Sequence, residues 1–493
     1  MLVSTFESLF RSGTRYFKGF AAENLWKDTG EYVVITVNFS ALSYSDNLER
    51  QLDRELYREF ALVAYKYGIT VPSPSTPDRL ISDYEAPALF RRIVENSTRK
   101  VVLLIDEYDY PLCHSLANEA VFLKYRDYLA NFYGVVKAVS DRLRFVFITG
   151  ISRFSHVTLF SQLNNLLDLS LKKNCATLLG YTDSELHEYF DAYVAKAAEE
   201  LNLSKENMYR EIKKHYDGFL MHPDAAETVY NPWSVLNFLI SPEEGFCNYW
   251  YESGGLYPSL IVSFIRDIRE RPLTSLFNMT VDLSSLKESY EFFTIPPRSL
   301  LFQTGYLTIR TRTNECGGTY CYLTPPNLEV KSALLFMYFS RIRSEPVPDG
   351  QIYGLKTALV NNLATRNTEK LIMCFNLILN TFGYDNLVAF DDERNCRDFI
   401  YVALLLSGIQ AYREDMNALG RADLSVDAGV TRYVIEFKLA RKSGEEDHLL
   451  QEAVTQIMDR RYGEVLPGNS QLLRLAVVIS AVEKSIVRWQ LQE

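Results

Sequence analysis

No run of apolar residues in the sequence is long enough to cross a bilayer, and the opening stretch, MLVSTFESLFRSGTRYF, has no apolar signal core. A cytoplasmic chain without a membrane span is therefore expected. Cysteine is sparse: the seven copies, at 113, 175, 247, 316, 321, 374 and 396, form no C-x-x-C pair, and the six histidines show no metal-ligand spacing beside them. That excludes a thiolate zinc site and suits buried thiols in a reducing compartment. Cys316 and Cys321 flank a glycine turn and can face each other across a hairpin. Positive charge is also short, with 52 Lys and Arg against 62 Asp and Glu, a net charge of −10. Such a balance argues against a protein coated all over by nucleic acid, while leaving room for a local basic cleft. Finally, G-K-S and G-K-T occur nowhere, so the phosphate loop G-x-x-x-x-G-K-[ST], whose amides and lysine cradle a triphosphate, is missing.

What is present is apolar and aromatic. At 493 residues, 47% hydrophobic and 13% aromatic, the chain is long enough for two or three domains with packed cores. Three short β-branched runs, 32–40 (YVVITVNFS), 100–110 (KVVLLIDEYDY) and 144–152 (RFVFITGIS), are apolar on both faces. They alternate with helical patterns around 46–68, 84–98 and 117–140, which predicts an α/β parallel sheet over residues 1–180. Residues 181–343 read as a mainly helical extension. Thr182 opens a capping box for one helix, ELHEYFDAYVAKAAEEL, and 301–325 read as a β-hairpin unit. SEPVPDGQIYG (344–354) is the linker candidate. Over 355–493, helices near 355–382 and 391–409 precede strands at 421–427, 431–439 and 473–480, a second α/β domain.

Two stretches carry chemistry. The second strand ends in Asp106 and Glu107, and the third leads into Thr149 and Arg153. An apolar strand ending in two acids suits a nucleotide hydrolase, where one acid holds the magnesium shell and the next polarises water. It equally suits a buried strand whose end reaches solvent, and Arg153 alone reads as a surface arginine. In the second stretch, RADLSVDAGVTRYVIEFKLAR (421–441), Tyr433, Ile435, Phe437 and Leu439 point one way, and Val434, Glu436 and Lys438 the other. Glu436 and Lys438 then lie roughly 7 Å apart along the strand. The short connection DAGVT can fold Asp423 back beside Glu436. Two carboxylates and a lysine suit Mg²⁺ or Mn²⁺, with the lysine placing the attacking water. The plain alternative is a Glu436–Lys438 surface ion pair, worth little. Lys438, Arg441, Lys442, Arg460, Arg461 and Arg474 form a candidate phosphate-binding rim.

The segments IDEYDYPL, ITGISRFSHVTLFSQLNNLLDLSL, HYDGF, ETVYNPWSVLNFL, NYWYESGG and LLFQTGYLTI together resemble the bacterial AAA-ATPase-like proteins that carry a C-terminal PD-(D/E)XK nuclease domain. The resemblance covers essentially the whole chain. It implies a P-loop-type core lacking its P-loop, followed by a restriction-endonuclease-like fold. In that family the phosphate loop would stand just before LVSTFESLF, so the resemblance implies a member truncated at that point. ATP is then expected as a ligand only where the loop is supplied upstream. The resemblance places Asp106 and Glu107 at Walker B-like positions, and Thr149 and Arg153 at sensor-like ones. It makes Asp423 and Glu436 metal ligands and Lys438 catalytic. Glu393 matches the acidic position on the first nuclease helix, Gln456 the polar position on the helix after the strand pair, and Glu414 is a further supporting candidate. Expected partners are nucleic acid, DNA foremost, and further copies of the chain. The rival readings are a nucleotide-regulated switch and a nucleic-acid-binding module that does not cut.

Overall fold

The three apolar runs of the N-terminal region form the sheet they predict. In the computed structural model, which describes residues 2–28, 30–42, 48–70, 85–115, 118–151, 166–250, 279–287, 296–315, 318–342, 349–380, 390, 392–417, 420–460 and 471–492, the chain divides into two compact units. The first comprises 1–170 with 284–304, and the second 171–283 with 305–493. In the first unit β1 (Val33–Asn38), β2 (Val101–Asp106) and β3 (Leu143–Ile148) are parallel in the order β1-β2-β3. Val3 and Phe10 of the Leu2–Ser12 helix share one core with Val34, Val102 and Leu104. The crossover helices Leu48–Lys66, Glu85–Asn96 and Glu119–Ala138 meet through Phe60, Phe90 and Phe132, whose ring centroids are 5.5–6.0 Å apart. The Asp53 carboxylate ties them together. It accepts from the backbone of Glu85 and Ala86 at 3.0 Å, capping that helix, and from the Tyr128 hydroxyl at 2.8 Å.

The strands stop short of the apolar runs. After Asn38 the chain turns, with the Asn38 side chain accepting from Ser40 N at 3.0 Å. After Asp106, Glu107 takes a left-handed φ of 52°.

In the second unit the capping box forms as expected, with Thr182 Oγ1 accepting from Glu185 N and Thr182 N donating to Glu185. The single expected helix is instead two, Asp183–Tyr189 and Asp191–Glu200. Phe190 leaves helical geometry to pack its ring 5.0 Å from Tyr181. Asp191, opening the next helix, accepts from Tyr209 and Lys205 at 2.8 and 2.7 Å. The 301–325 expectation is half right: β5 (Thr308–Glu315) and β6 (Gly318–Thr324) pair antiparallel, but Leu300–Gln303 belong to the helix Pro297–Gln303. That helix belongs to the first unit, and Gly305, at φ +79°, packs against Trp250 in the second. A third strand, β4 (Met279–Asp282), pairs with β6. The linker candidate is helical from Asp349, in Asp349–Ala364, while 343–348 lie outside the described residues. Cys321 is buried in β6, and Cys316 lies outside the described residues.

The C-terminal sheet has the order β11-β10-β9-β8-β7, built from β7 (Gln410–Asn417), β8 (Gly420–Ala428), β9 (Thr431–Ala440), β10 (Gln471–Ser480) and β11 (Ser485–Gln492). β7–β8, β8–β9 and β10–β11 are antiparallel, and β9–β10 is parallel across the crossover helix Glu446–Asp459. Both faces of β9 are buried. Val434 joins Ala453, Ile457 and Ala476 beneath the crossover helix. On the opposite face Tyr433, Ile435 and Phe437 are also fully buried, and the Tyr433 hydroxyl donates to Leu363 O at 2.9 Å.

Candidate active site

A two-residue turn, Gly429 (φ +64°) and Val430, joins β8 to β9. Their ladder runs from Ala428↔Thr431 to Leu424↔Ile435. Beyond Ile435 the β9 amides on this side are taken by side chains instead. Phe437 N donates to Asp423 Oδ2 at 2.9 Å, and Leu439 N donates to Glu393 Oε2 at 3.1 Å. Glu393 comes from the first turn of the helix Glu393–Leu406, which Asp392 caps through Arg394 N at 3.1 Å. The unzipped end of the hairpin thus carries two carboxylates, with Glu436 and Lys438 on the same strand.

Glu436 is 2% exposed. Its Oε1 lies 3.6 Å from Lys438 Nζ, while its Oε2 is buried without a hydrogen-bond partner. Burial first, then the negative charge of Asp423, push its carboxyl up to about 8, against the pull of Lys438. Burial and Asp423 also raise Glu393 above the ordinary carboxylate range. Lys438 donates to Gln456 Oε1 at 2.9 Å and lies 3.7 Å from Glu452 Oε1. The ammonium therefore lies between Glu436 of its own strand and Gln456 and Glu452 of the crossover helix.

Among the described residues no group of three or more His, Cys, Asp and Glu is already placed to hold a metal ion. The donor set nonetheless fits one. Glu436 Oε2 is an orphaned buried oxygen, an arrangement costly without a partner, and the acids around it raise one another's affinity for positive charge. Asp423, Glu436 and Glu393 are the residues that would hold a hard divalent cation, whose chemistry is to acidify bound water and offset charge on a phosphate.

The remaining expected residues are less concentrated. Glu414 lies on β7, between the paired positions Arg413↔Leu424 and Asp415↔Ala422. Arg441 and Lys442 occupy the exposed turn after β9, where Glu445 accepts from both backbone amides at 3.3 and 3.2 Å. Arg460 is exposed at the end of the crossover helix, Arg474 lies on β10 opposite Val434, and Arg461 lies outside the described residues. A turn, a helix end and a strand thus share the basic groups.

One residue had no place in the sequence reading. Arg397, 5% exposed, lies one turn beyond Glu393 and sets its Nη1 3.4 Å from Asp423 Oδ1. The i, i+4 spacing from Glu393 was the available signal. In the first unit, Asp106 ends β2 beside Asn38 of β1. Thr149 joins the same strand ends, its N donating to Ile105 O at 2.9 Å and its O accepting from Tyr108 N at 3.0 Å. Arg153 lies outside the described residues. Asp109, fully buried, was also missed: it accepts from Ile151 N at 3.3 Å, and Gly150 packs so closely that a Cβ would lie 2.5 Å from its carboxylate.

The N-terminal sheet is parallel and ends in acids, and the mixed five-stranded C-terminal sheet is consistent with a nuclease-like domain. Residues 1–160 match the family described as Predicted AAA-ATPase, and residues 391–489 match the PD-(D/E)XK nuclease superfamily. The two matches agree with the combination that the sequence motifs imply, an AAA-ATPase-like segment followed by a PD-(D/E)XK nuclease-superfamily segment. It is 27% identical over 493 residues, 99% of this chain and 88% of the relative, to an uncharacterized protein in the vnfD 5′ region of Azotobacter chroococcum mcd 1. No solved structure matches.

Proposed function

We propose that the protein is a metal-dependent phosphodiester hydrolase acting on nucleic acid, DNA foremost. Asp423 and Glu436 hold Mg²⁺ or Mn²⁺, Glu393 completes the set, and Lys438, steadied by Gln456, positions the water. The observation that carries this reading is the buried Glu436 carboxylate, with Oε1 3.6 Å from Lys438 Nζ, Oε2 without a hydrogen-bond partner, and its proton affinity raised by burial and by Asp423 and Glu393. Exposed Arg441, Lys442 and Arg460 serve the phosphate backbone, with Arg461 and Arg474 as further contacts and Glu414 in support; recognition is by backbone and shape rather than base sequence.

The AAA-ATPase-like segment is assigned a regulatory role. Asp106, Glu107 and Thr149 are assigned its nucleotide-facing roles, with Arg153 joined to them by sequence alone, and ATP turnover by these residues requires a phosphate loop of a kind for which the sequence holds no G-K-S or G-K-T. Functionally the chain divides into an ATPase-like core over 1–180, a helical extension over 181–343 and the nuclease over 355–493, and it works among copies of itself. No helix among the described residues is long and apolar enough to cross a membrane, which accords with a cytoplasmic site of action.

The test is cleavage of plasmid and single-stranded DNA with Mn²⁺, Mg²⁺ or EDTA. Cutting that requires the metal is expected. DNA bound but uncut under all three conditions would overturn the hydrolase and favour the binding module.

A further inference from the structure

Asp423 is engaged on both oxygens. Oδ2 accepts from the Phe437 amide at 2.9 Å, and Oδ1 faces Arg397 Nη1 at 3.4 Å. The first contact is a well-formed hydrogen bond and the second is long, near the limit for one. Arg397 does not hang loosely there. Its Nε donates to Asp398 Oδ1 at 3.0 Å, and Asp398 Oδ2 accepts from Arg413 Nη1 on β7 at 2.7 Å. A chain of alternating charge, Arg413, Asp398, Arg397, Asp423, thus runs from the sheet edge to the acids, and its inner members are sheltered from solvent.

A permanent cation buried beside the site's own acid needs a reason. A buried guanidinium is costly unless paired, and Asp398 alone already supplies a partner. What Asp398 does not require is that Nη1 reach Asp423. That reach places positive charge on the one carboxylate oxygen that the backbone of β9 leaves free, amid acids that repel one another.

Resting on the metal-site reading above, we propose that Arg397 is a positioning residue that stands in for the cation: its guanidinium holds Asp423 Oδ1 until a divalent ion takes that oxygen, and so sets the metal concentration at which the site fills. Asp398 and Arg413 anchor the guanidinium, which yields Oδ1 through the long Nη1 contact while keeping its Nε bond. The arrangement keeps the acids in place without metal and makes the metal compete for its site. Glu436 Oε2 stays open throughout as the first point of contact.

The experiment is direct Mn²⁺ titration by calorimetry on the full chain, without DNA, for wild type, Arg397→Gln, Arg397→Met, Arg397→Lys and Glu436→Gln. Removing one nearby positive charge should tighten Mn²⁺ binding roughly three- to tenfold in Arg397→Gln, and Arg397→Met should move the same way. Arg397→Lys, which keeps the charge, should stay near wild type. A purely structural arginine would give the opposite, weaker binding in both neutral variants, and that result or an unchanged affinity overturns the proposal. If Arg397→Gln fails to fold by circular dichroism, Arg397→Met decides. If both neutral variants fail, the arginine is structural and the proposal falls. Glu436→Gln separates the two ideas. Wild-type binding that Glu436→Gln abolishes, with no change at Arg397, removes only the stand-in role. No Mn²⁺ binding by wild type removes the metal site itself.

Discussion

Glu436 is the residue on which the site turns, and its cost to the fold has a sign. Its carboxyl is raised to about 8 in the folded chain, chiefly by burial and then by Asp423, whereas an unfolded glutamate titrates near 4.3. Between those values the folded state binds more protons than the unfolded one, so stability falls as pH rises through the window. Metal-free protein should therefore melt at progressively lower temperature from about pH 5 to pH 8. Glu436→Gln should flatten that slope and match or exceed wild type at pH 8; a wild-type melting temperature constant across this range would contradict the burial argument. Because the metal must displace the same proton, Mn²⁺ affinity should rise over the same interval. Gln456 acts more gently. It holds Lys438 at 2.9 Å without being acidic, so Gln456→Ala should slow cleavage about 10- to 100-fold with Mn²⁺ affinity unchanged, as read by rate and calorimetry together.

Elements were legible where burial imposed a period. β9 alternates, its hairpin turn contains Gly429, and the strand and turn both formed where expected. β7 and β11 escaped notice because each is an edge strand carrying polar and charged residues, QAYREDMN and SIVRWQLQ. Nothing in the alternation of β9 announced that its second face is also buried, since Glu436 and Lys438 sit on it as polar exceptions under the crossover helix. Arg397 was hidden for a related reason: a helical arginine reads as solvated unless the fold folds it inward. The HYDGF segment shows the local limit too. Gly218 takes φ +102°, and a Cβ there would meet Pro326 O at 2.2 Å, contact that only the tertiary structure supplies. Gly218→Ala should cost about 2 kcal/mol or more, measured by urea unfolding. In the first unit Asp53→Ala removes a helix cap and the acceptor of the Tyr128 hydroxyl, with an expected loss of about 2 kcal/mol.

At the scale of the whole molecule, the chain divides into two compact units, and the two family matches fall one in each. The long motif resemblance foretold the fusion, because such motifs are specified by packing and site geometry together. Their internal arrangement was less legible: β4 is only four residues long and pairs with a strand some forty positions later, too short and too distant to signal itself. Under the proposed action on nucleic acid, a chain of net charge −10 with few exposed basic residues near the site should make few phosphate contacts, so DNA binding should weaken only modestly with salt. A log–log slope in fluorescence anisotropy shallower than about −4 is expected for the few exposed basic residues near the site, and a steeper one would point to a basic surface elsewhere.

The claim that the β8–β9 hairpin is a hydrolytic centre is tested most directly by Lys438→Ala. Lys438 bonds Gln456 and faces Glu436 without being assigned to the metal. Plasmid cleavage in Mn²⁺ should therefore be abolished in this variant while the chain stays folded by circular dichroism and calorimetric Mn²⁺ binding is retained or tightened. Cleavage by Lys438→Ala at the wild-type rate would contradict the assignment of the site.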